Sequence, residues 1–232
     1  MRNKIKVLTI AILCWQGLFS QDNNVAYPSA AKTPSFEIAI GQAGAMLFVP
    51  ETYSKIEGSP YLSTEWAYAK VKLADSRKFD SVLVKLDLYE NKVHFKDEMG
   101  RARMVAIDVR EVEIKDVSSK WNNARFVSGY GENIHEFYQV IADGAKAALL
   151  KKMNVIVKMT KDFNKPEKNS FELQNALYIY SKDALYVEKK NCLSTVPAFK
   201  DDNKITAFIS SNDIKCNKEN DMAKLVNYYN SY

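Results

Sequence analysis

A mainly β, α+β fold is predicted for this chain: an antiparallel meander forming a curved sheet, an open barrel or a sandwich, with C-terminal helices packed on it. Three observations predict it. Apolar residues alternate with period two through the middle of the chain, most clearly from Val82 to Tyr89. Turn signals follow one another too closely to leave room for crossover helices between parallel strands. Near the end the spacing changes: Met222, Leu225, Val226 and Tyr229 fall at i, i+3, i+4 and i+7, one apolar stripe of a helix.

The elements follow in order. Gly58-Ser59-Pro60 reads as a turn that launches the sheet. Pro60 fixes its own φ and pushes Ser59 toward extended geometry. Tyr61, Leu62 and Trp66 behind it are expected to pack as an apolar plug. In VLVKLDLY, Val82, Val84, Leu86 and Leu88 share one face, while Leu83, Lys85, Asp87 and Tyr89 share the other. Glu90-Asn91 turns the chain, and KVHF returns with Val93 and Phe95 on one side. His94 then falls on the face of Lys92 and Lys96, which predicts solvent exposure for it. Gly100 marks the next turn, because it adopts positive φ at little cost. Met104 to Ile107 and Val109 to Lys115 alternate in their turn, and ARFV ends in Gly129 and Gly131. Asp143-Gly144 is a hairpin signal between HEFYQVIA and AKAALLKK. FELQNALYIY and ALYVEKK form a further pair around Ser181 to Asp183, after a charged loop carrying Pro166. Ile205, Phe208 and Ile209 mark a first helix, capped by Asp202 or Asn203. The Met222–Tyr229 stripe marks a second, with Asn217 as its expected cap and Glu219 and Asp221 favouring its positive end.

The 232 residues divide by composition. Residues 1–20 read as a signal peptide: Arg2, Lys4 and Lys6 precede a short apolar run from Ile5 to Trp15, and small Ser20 precedes the polar chain. That run is shorter than the roughly 20 apolar residues a bilayer span requires. Leu13 occupies the place before Cys14 where a lipoprotein would carry a small residue. Residues 21–35 are a polar, turn-rich lead-in, residues 36–190 the antiparallel β domain, and residues 191–232 a helical region packed on the same domain. The expected location is periplasmic or secreted, within the cell envelope, with no transmembrane anchor after cleavage and a monomer or homodimer as the final state. Removing residues 1–20 lowers the formal charge from +5 to +2. With no basic stripe interleaved with aromatics, nucleic acid is not an expected partner. Cys192 and Cys216 remain, and an oxidising compartment permits a disulfide between them.

GSPYLSTEW, continued by AKVKLADSRKFDSVLVKLDLYENKVHFKD, resembles a family of exported cell-envelope proteins of unassigned function common in Bacteroidetes-type bacteria. The shared pattern is Gly-x-Pro-Tyr-Leu, an extended start, a polar turn and a V-x-L-x-Y/L strand. The closing stretch from Cys192 to Tyr232 is similar to their helical end, so the resemblance spans about residues 58–232. It implies an envelope setting and a sheet-plus-helix build, and it carries over no catalytic residue.

Catalytic signals are weak. The chain has two histidines. Glu132, His135 and Glu136 lack the HExxH spacing of a helical zinc site. No nucleophile elbow, SxxK arrangement, GxGxxG or Walker loop occurs, and the glycines of GQAG read as a turn or bulge. Asp97-Glu98, Glu111/Glu113 and Asp201-Asp202 are carboxylate pairs of the kind any solvated strand face or loop provides. No metal or other cofactor is expected. Tyr61, Trp66 and Trp121 are the candidate ligand-binding residues, since flat rings stack on sugars or line apolar grooves. The expected function is noncatalytic binding of an envelope protein or a small ligand. A hydrolase with scattered catalytic residues, or a periplasmic carrier of a lipid or other hydrophobic molecule, are the alternatives.

Overall fold

In the computed structural model the described residues are 35–44, 46–49, 53–161, 167–189, 191–200 and 202–232. The signal-peptide segment, all but the last residue of the lead-in, and the loop around Pro166 lie outside them. The chain runs α1 (Phe36–Gln42), β1 (Met46–Phe48), β2 (Ala67–Leu73), β3 (Lys78–Asp87), β4 (Lys92–Lys96), β5 (Ala102–Val105), β6 (Val109–Ile114), β7 (Arg125–Val127), β8 (Tyr138–Ala142), β9 (Ala147–Thr160), β10 (Lys168–Ser181) and β11 (Ala184–Val187). A 3-10 turn at Cys192–Ser194 then leads into α2 (Pro197–Lys200), α3 (Asn203–Ser211) and α4 (Glu219–Asn230). The strands form a single antiparallel sheet ordered β1-β5-β4-β3-β2-β6-β7-β8-β9-β10-β11, which does not close into a barrel. No helix among the described residues is long and apolar enough to cross a membrane.

Chain length dictates the shape of the first half. Strands β5 and β6 are four steps apart in the sheet, yet only residues 106–108 join them. A flat sheet would place them about 19 Å apart at about 4.8 Å per step. Extended chain from Val105 to Val109 reaches at most about 14 Å. The sheet must therefore curl, and Val93, Val105 and Val109 line one small pocket at the join. The inner face of the curl is filled by Val71, Leu73, Phe79, Val84, Leu86, Phe95, Val112 and Ile114. Helix α1 plugs it. Phe36 meets Phe79 and Phe95 edge-on at centroid distances of 5.2 and 5.0 Å, with Ala39 and Ile40 buried one turn on. This helix is an addition to the elements read from the sequence. Ser35 caps it, its side chain accepting from the Ile38 amide. Gly41 lies inside it, while Gly44 supplies the positive φ of the turn beyond.

The alternation read from the sequence is reproduced on β3 and β4, and the NVIVKM run continues β9. Lys182 and Asp183 both take positive φ in the two-residue β10–β11 turn, the geometry that matches strand twist. The hairpin β9–β10 is paired over fourteen residues on each strand. One face of β9 carries Ala147 and Leu149 under the C-terminal helices, then Met153 and Val155 against the core of the curl. The other face carries Ala148 and Leu150, packed with Tyr138 and Val127 and flanked by Tyr130, Tyr178, Tyr180 and Leu185.

Helix α4 covers β8 and β9, and α3 packs against α4 in the same layer. The stripe of Met222, Leu225, Val226 and Tyr229 is buried as its spacing requires, against Phe199, Ile205 and Ile179. Asp202 caps α3, accepting from the Lys204 and Ile205 amides. The expected cap of α4 is corrected: Lys218, not Asn217, holds the N-cap position, and no side chain bonds there. Glu219 and Asp221 in the first turn favour that positive end instead.

The last residue of α4 docks into the β8–β9 hairpin. Asn230 Oδ1 accepts from the Lys146 and Ala147 amides, both at 3.0 Å, and Nδ2 donates to the Ala147 carbonyl at 2.8 Å. Gly144 lies flat against that amide, and a Cβ there would overlap it. Three bonds hold the amide, so it has no easy way to yield. Gly144→Ala is expected to cost about 2 kcal/mol, the usual scale of overpacking. Chemical unfolding measures it, and a midpoint equal to wild type would show that the amide moves aside freely.

Candidate functional site

The outer face of β3 and β4 carries Lys85, Asp87, His94 and Lys96, and in a plain curl these side chains would meet water. The segment from Tyr53 to Trp66 changes that by folding across them. Glu57 bridges to Ser170 at the start of β10, and Tyr61 bridges to Asp87 at the end of β3. The Leu62 amide donates to the Leu86 carbonyl at 2.9 Å, and the Leu88 amide donates to the Pro60 carbonyl at 2.8 Å. Gly58 turns the chain with φ +93° where it passes Phe171. The Gly-Ser-Pro turn therefore ties the edge of the curl to the β9–β10 hairpin.

Tyr61 and Leu62 alternate across this tie. Leu62 packs on the inner core, together with Trp121. Tyr61 faces outward over His94, with ring centroids 5.5 Å apart. Tyr53 stands against Tyr61, Tyr89 and Phe171, each edge-on, at 6.2, 6.0 and 5.6 Å. Beneath these rings Asp87 is 1% exposed. Its Oδ1 accepts from the Tyr89 and Glu90 amides at 2.9 Å, and its Oδ2 accepts from the Tyr53 hydroxyl at 2.8 Å. Burial, then the bond to Asp87, raises the Tyr53 phenol far above its ordinary value; burial, then the Asp87 and Glu90 charges, raises Tyr61.

His94 corrects an expectation. It lies on the face shared with Lys92 and Lys96, as read, but it is 2% exposed because Tyr61 covers it. Its Nε2 is buried without a hydrogen-bond partner, 4.0 Å from Asp87 Oδ2. Burial lowers its pKa, against the opposing pull of Asp87 and Glu90 and with a small push from Lys85. A histidine depressed in the folded state contributes stability that is fully present above the unfolded value near 6.5 and is lost as pH falls through the folded one. Asp97 loses its contribution at lower pH. Burial alone would raise it, but the Arg101 amide and the guanidinium groups of Arg101 and Arg103 prevail and push it down to about 2. His94→Leu is therefore expected to flatten the stability profile just below pH 6.5 while keeping the decline toward pH 2. Unfolding midpoints across that range provide the check, and an unchanged slope below pH 6.5 would contradict it.

Trp66 also departs from the sequence reading. It is half-buried and lies outside the core, so the expected plug is Leu62 alone. The Lys85 ammonium stands 5.0 Å from the Tyr61 centroid and 5.1 Å from that of Trp66, and the Lys96 ammonium stands 5.5 Å from Trp66. Lys85 donates to the Thr64 carbonyl. The structure thus brings Tyr61 and Trp66 together around one cation. Trp121 lies on the other side of the segment, edge-on to Phe126, and lines a narrow cleft with Leu62, Glu65 and Lys85.

Sequence reasoning missed Tyr53, Lys85, Asp87 and His94 as members of one cluster. The signal available was the outer-face row of β3 and β4, which already placed three of them side by side. Of the acidic pairs, Asp97 is buried while Glu98 is exposed, Glu111 and Glu113 stay on one face, and Asp201 lies outside the described residues. Glu111 pairs with Arg125 and Glu113 with Lys115 on a charged outer face. His135 Nδ1 lies 2.9 Å from Asp108 Oδ1, and Glu136 pairs with Lys152. No group of three metal-ligating side chains occurs among the described residues. Cys192 and Cys216 form a disulfide, with Cα atoms 5.3 Å apart. No protein-family model, curated protein or solved structure matches the chain.

Proposed function

We propose that this is a noncatalytic ligand-binding protein exported to the cell envelope, periplasmic or secreted, and that its ligand docks on the outer face at Tyr61 and Trp66. The observation that carries this reading is the placement of Lys85 between the two rings with Lys96 beside the second. Such a surface offers flat apolar area and directed donors together, the pairing that recognises a ligand with both an apolar face and polar groups. The rigid curl beneath supports it, since Val84, Leu86, Val93 and Phe95 on the same two strands are all buried. The interior of that curl is packed with side chains, which favours surface binding over carriage of a hydrophobic molecule inside.

A hydrolytic reading has one specific observation behind it. The His135–Asp108 pair has the spacing of a base and the carboxylate that orients it, beside the pocket lined by Lys92, Val105 and Phe137. The binding reading is preferred because, among the described residues, that pocket brings no serine, threonine or cysteine to the imidazole.

Native mass spectrometry of protein recovered from its own envelope tests the reading. A reproducible added mass on the wild type, absent from Trp66→Ala of unchanged fold, is the expected result. The added mass persisting on Trp66→Ala would move the site elsewhere. A bare mass for both proteins would remove the support for a retained ligand. The same spectrum reports whether residues 1–20 have been removed.

A further inference from the structure

Among the described residues no carboxylate lies within ion-pair distance of the two lysines beside Trp66. Among the described residues neither Lys85 nor Lys96 forms an ion pair, whereas Lys70 pairs with Asp80 and Lys115 with Glu113 elsewhere on the sheet. Among the described residues the acid whose charge acts on Lys85 is Glu65, exposed on the covering segment and not in ion-pair contact. Lys85 is also partly withdrawn from water, and burial lowers its pKa against the opposing pull of Glu65, with a smaller push from the neighbouring Lys96 charge. An ammonium has three donors, and the Thr64 carbonyl uses one of those of Lys85. Two like charges therefore converge on a single indole, one of them held in place, with donors left over.

That arrangement disfavours a cation. An anion placed between the ammonium groups would relieve their repulsion and accept the unused donors. The part of the indole that remains in water offers flat apolar area, such as suits the C–H face of a sugar ring. Trp66 is half-buried, which favours contact along its exposed part over deep insertion between lipid chains.

We propose that Trp66, Lys85 and Lys96 bind an acidic glycan, with a sugar ring laid against the indole and its uronate carboxylate held by the two ammonium groups. This rests on the reading that the Tyr61–Trp66 face is the ligand site, and it names the ligand class. Glu65, on the same segment, sets the side from which a polyanion is repelled.

Isothermal titration calorimetry with hexagalacturonate, with maltohexaose as the uncharged counterpart, tests it at low and at physiological salt. Expected are binding of hexagalacturonate alone, weakening with salt, a loss of at least about tenfold in Lys85→Gln/Lys96→Gln, corresponding to about 1.4 kcal/mol, and loss of binding in Trp66→Ala. Circular dichroism confirms that the variants fold, and Lys72→Gln on the charged face serves as a control that leaves binding intact. Equal binding of maltohexaose, lost in Trp66→Ala but kept in the lysine variant, would overturn the acidic class while leaving the site reading in place. Capture by phosphatidylglycerol vesicles with no uptake of hexagalacturonate would replace the glycan with a membrane surface. Hexagalacturonate binding that survives both variants would overturn the site as well as the class, and no binding of either sugar would overturn the acidic-glycan assignment.

Discussion

Asp87→Ala is expected to destabilise the protein by about 3 kcal/mol or more. The carboxylate is buried and accepts three hydrogen bonds, from the Tyr89 and Glu90 amides and the Tyr53 hydroxyl. Truncation leaves all three donors without an acceptor, and a buried unsatisfied donor costs roughly 1–3 kcal/mol. Tyr53→Phe removes one bond without orphaning the backbone, so its cost should be nearer 1 kcal/mol. The double variant should cost less than the sum of the singles, because the Tyr53 hydroxyl is absent when Asp87 is lost. For a domain of this size about 3 kcal/mol lowers the melting temperature by roughly 6–12 °C. A change below about 1 kcal/mol for Asp87→Ala would mean that water replaces the carboxylate, and that the Tyr53–Trp66 segment is held by its backbone bridges alone. Asp87→Ala should also loosen Tyr61, so a fall in ligand affinity beyond that of Tyr53→Phe would tie the buried cluster to the binding face.

Loss of the Cys192–Cys216 disulfide is the second large effect. The bond closes a loop of 24 positions that contains the 3-10 turn, α2 and α3. Closing a loop of that length stabilises by roughly 3 kcal/mol through the entropy removed from the unfolded chain. Cys192 sits in the helical core beside Met222, while Cys216 precedes α4 and is only partly buried. Replacing both by Ser therefore adds the cost of a buried hydroxyl at position 192, and Cys192→Ala/Cys216→Ser isolates the cross-link itself. Unfolding in guanidinium, with and without a reductant, measures it. A wild-type midpoint that reductant leaves unchanged, once thiol titration shows the bond broken, would mean that the helical layer is held by packing alone.

The sequence made some of this legible and hid the rest for identifiable reasons. The α4 stripe emerged residue for residue, because a helix buried on one face writes its burial into a 3.6-residue spacing. On β3 and β4 the division into faces was equally clear, yet the fate of one face was not. Period two states which residues share a side, and it cannot state that a segment beginning at Tyr53 will fold across that side. His94 was misjudged for this reason: its neighbours Lys92 and Lys96 predicted water, and Tyr61 supplied cover. Helix α1 was missed although Phe36, Ala39 and Ile40 have helical spacing, since seven residues with a glycine among them give a weak periodic signal. The curl was implicit in the three residues between β5 and β6, but that constraint applies only once strand order is known. Of the candidate rings, the sequence placed Tyr61 and Trp66 near one another through proximity in the chain. Their joint organisation around Lys85 needed the sheet.

The hairpin β9–β10 has a consequence for how the molecule comes apart. Strand β9 gives Leu149 to the helical layer and Met153 and Val155 to the curl, on one continuous backbone. Neither region can melt while the other keeps its full wall, so heat or denaturant should meet a single cooperative transition in place of two. The same arrangement makes assembly slow to commit. Glu57 must meet Ser170 and Asn230 must meet Lys146, partners 113 and 84 positions apart in the chain, and such distant closures delay folding until late pairings reward them. A nascent chain holding β1 to β8 would expose the apolar wall that β9 later covers, which places the moment of greatest aggregation risk just before that strand is complete.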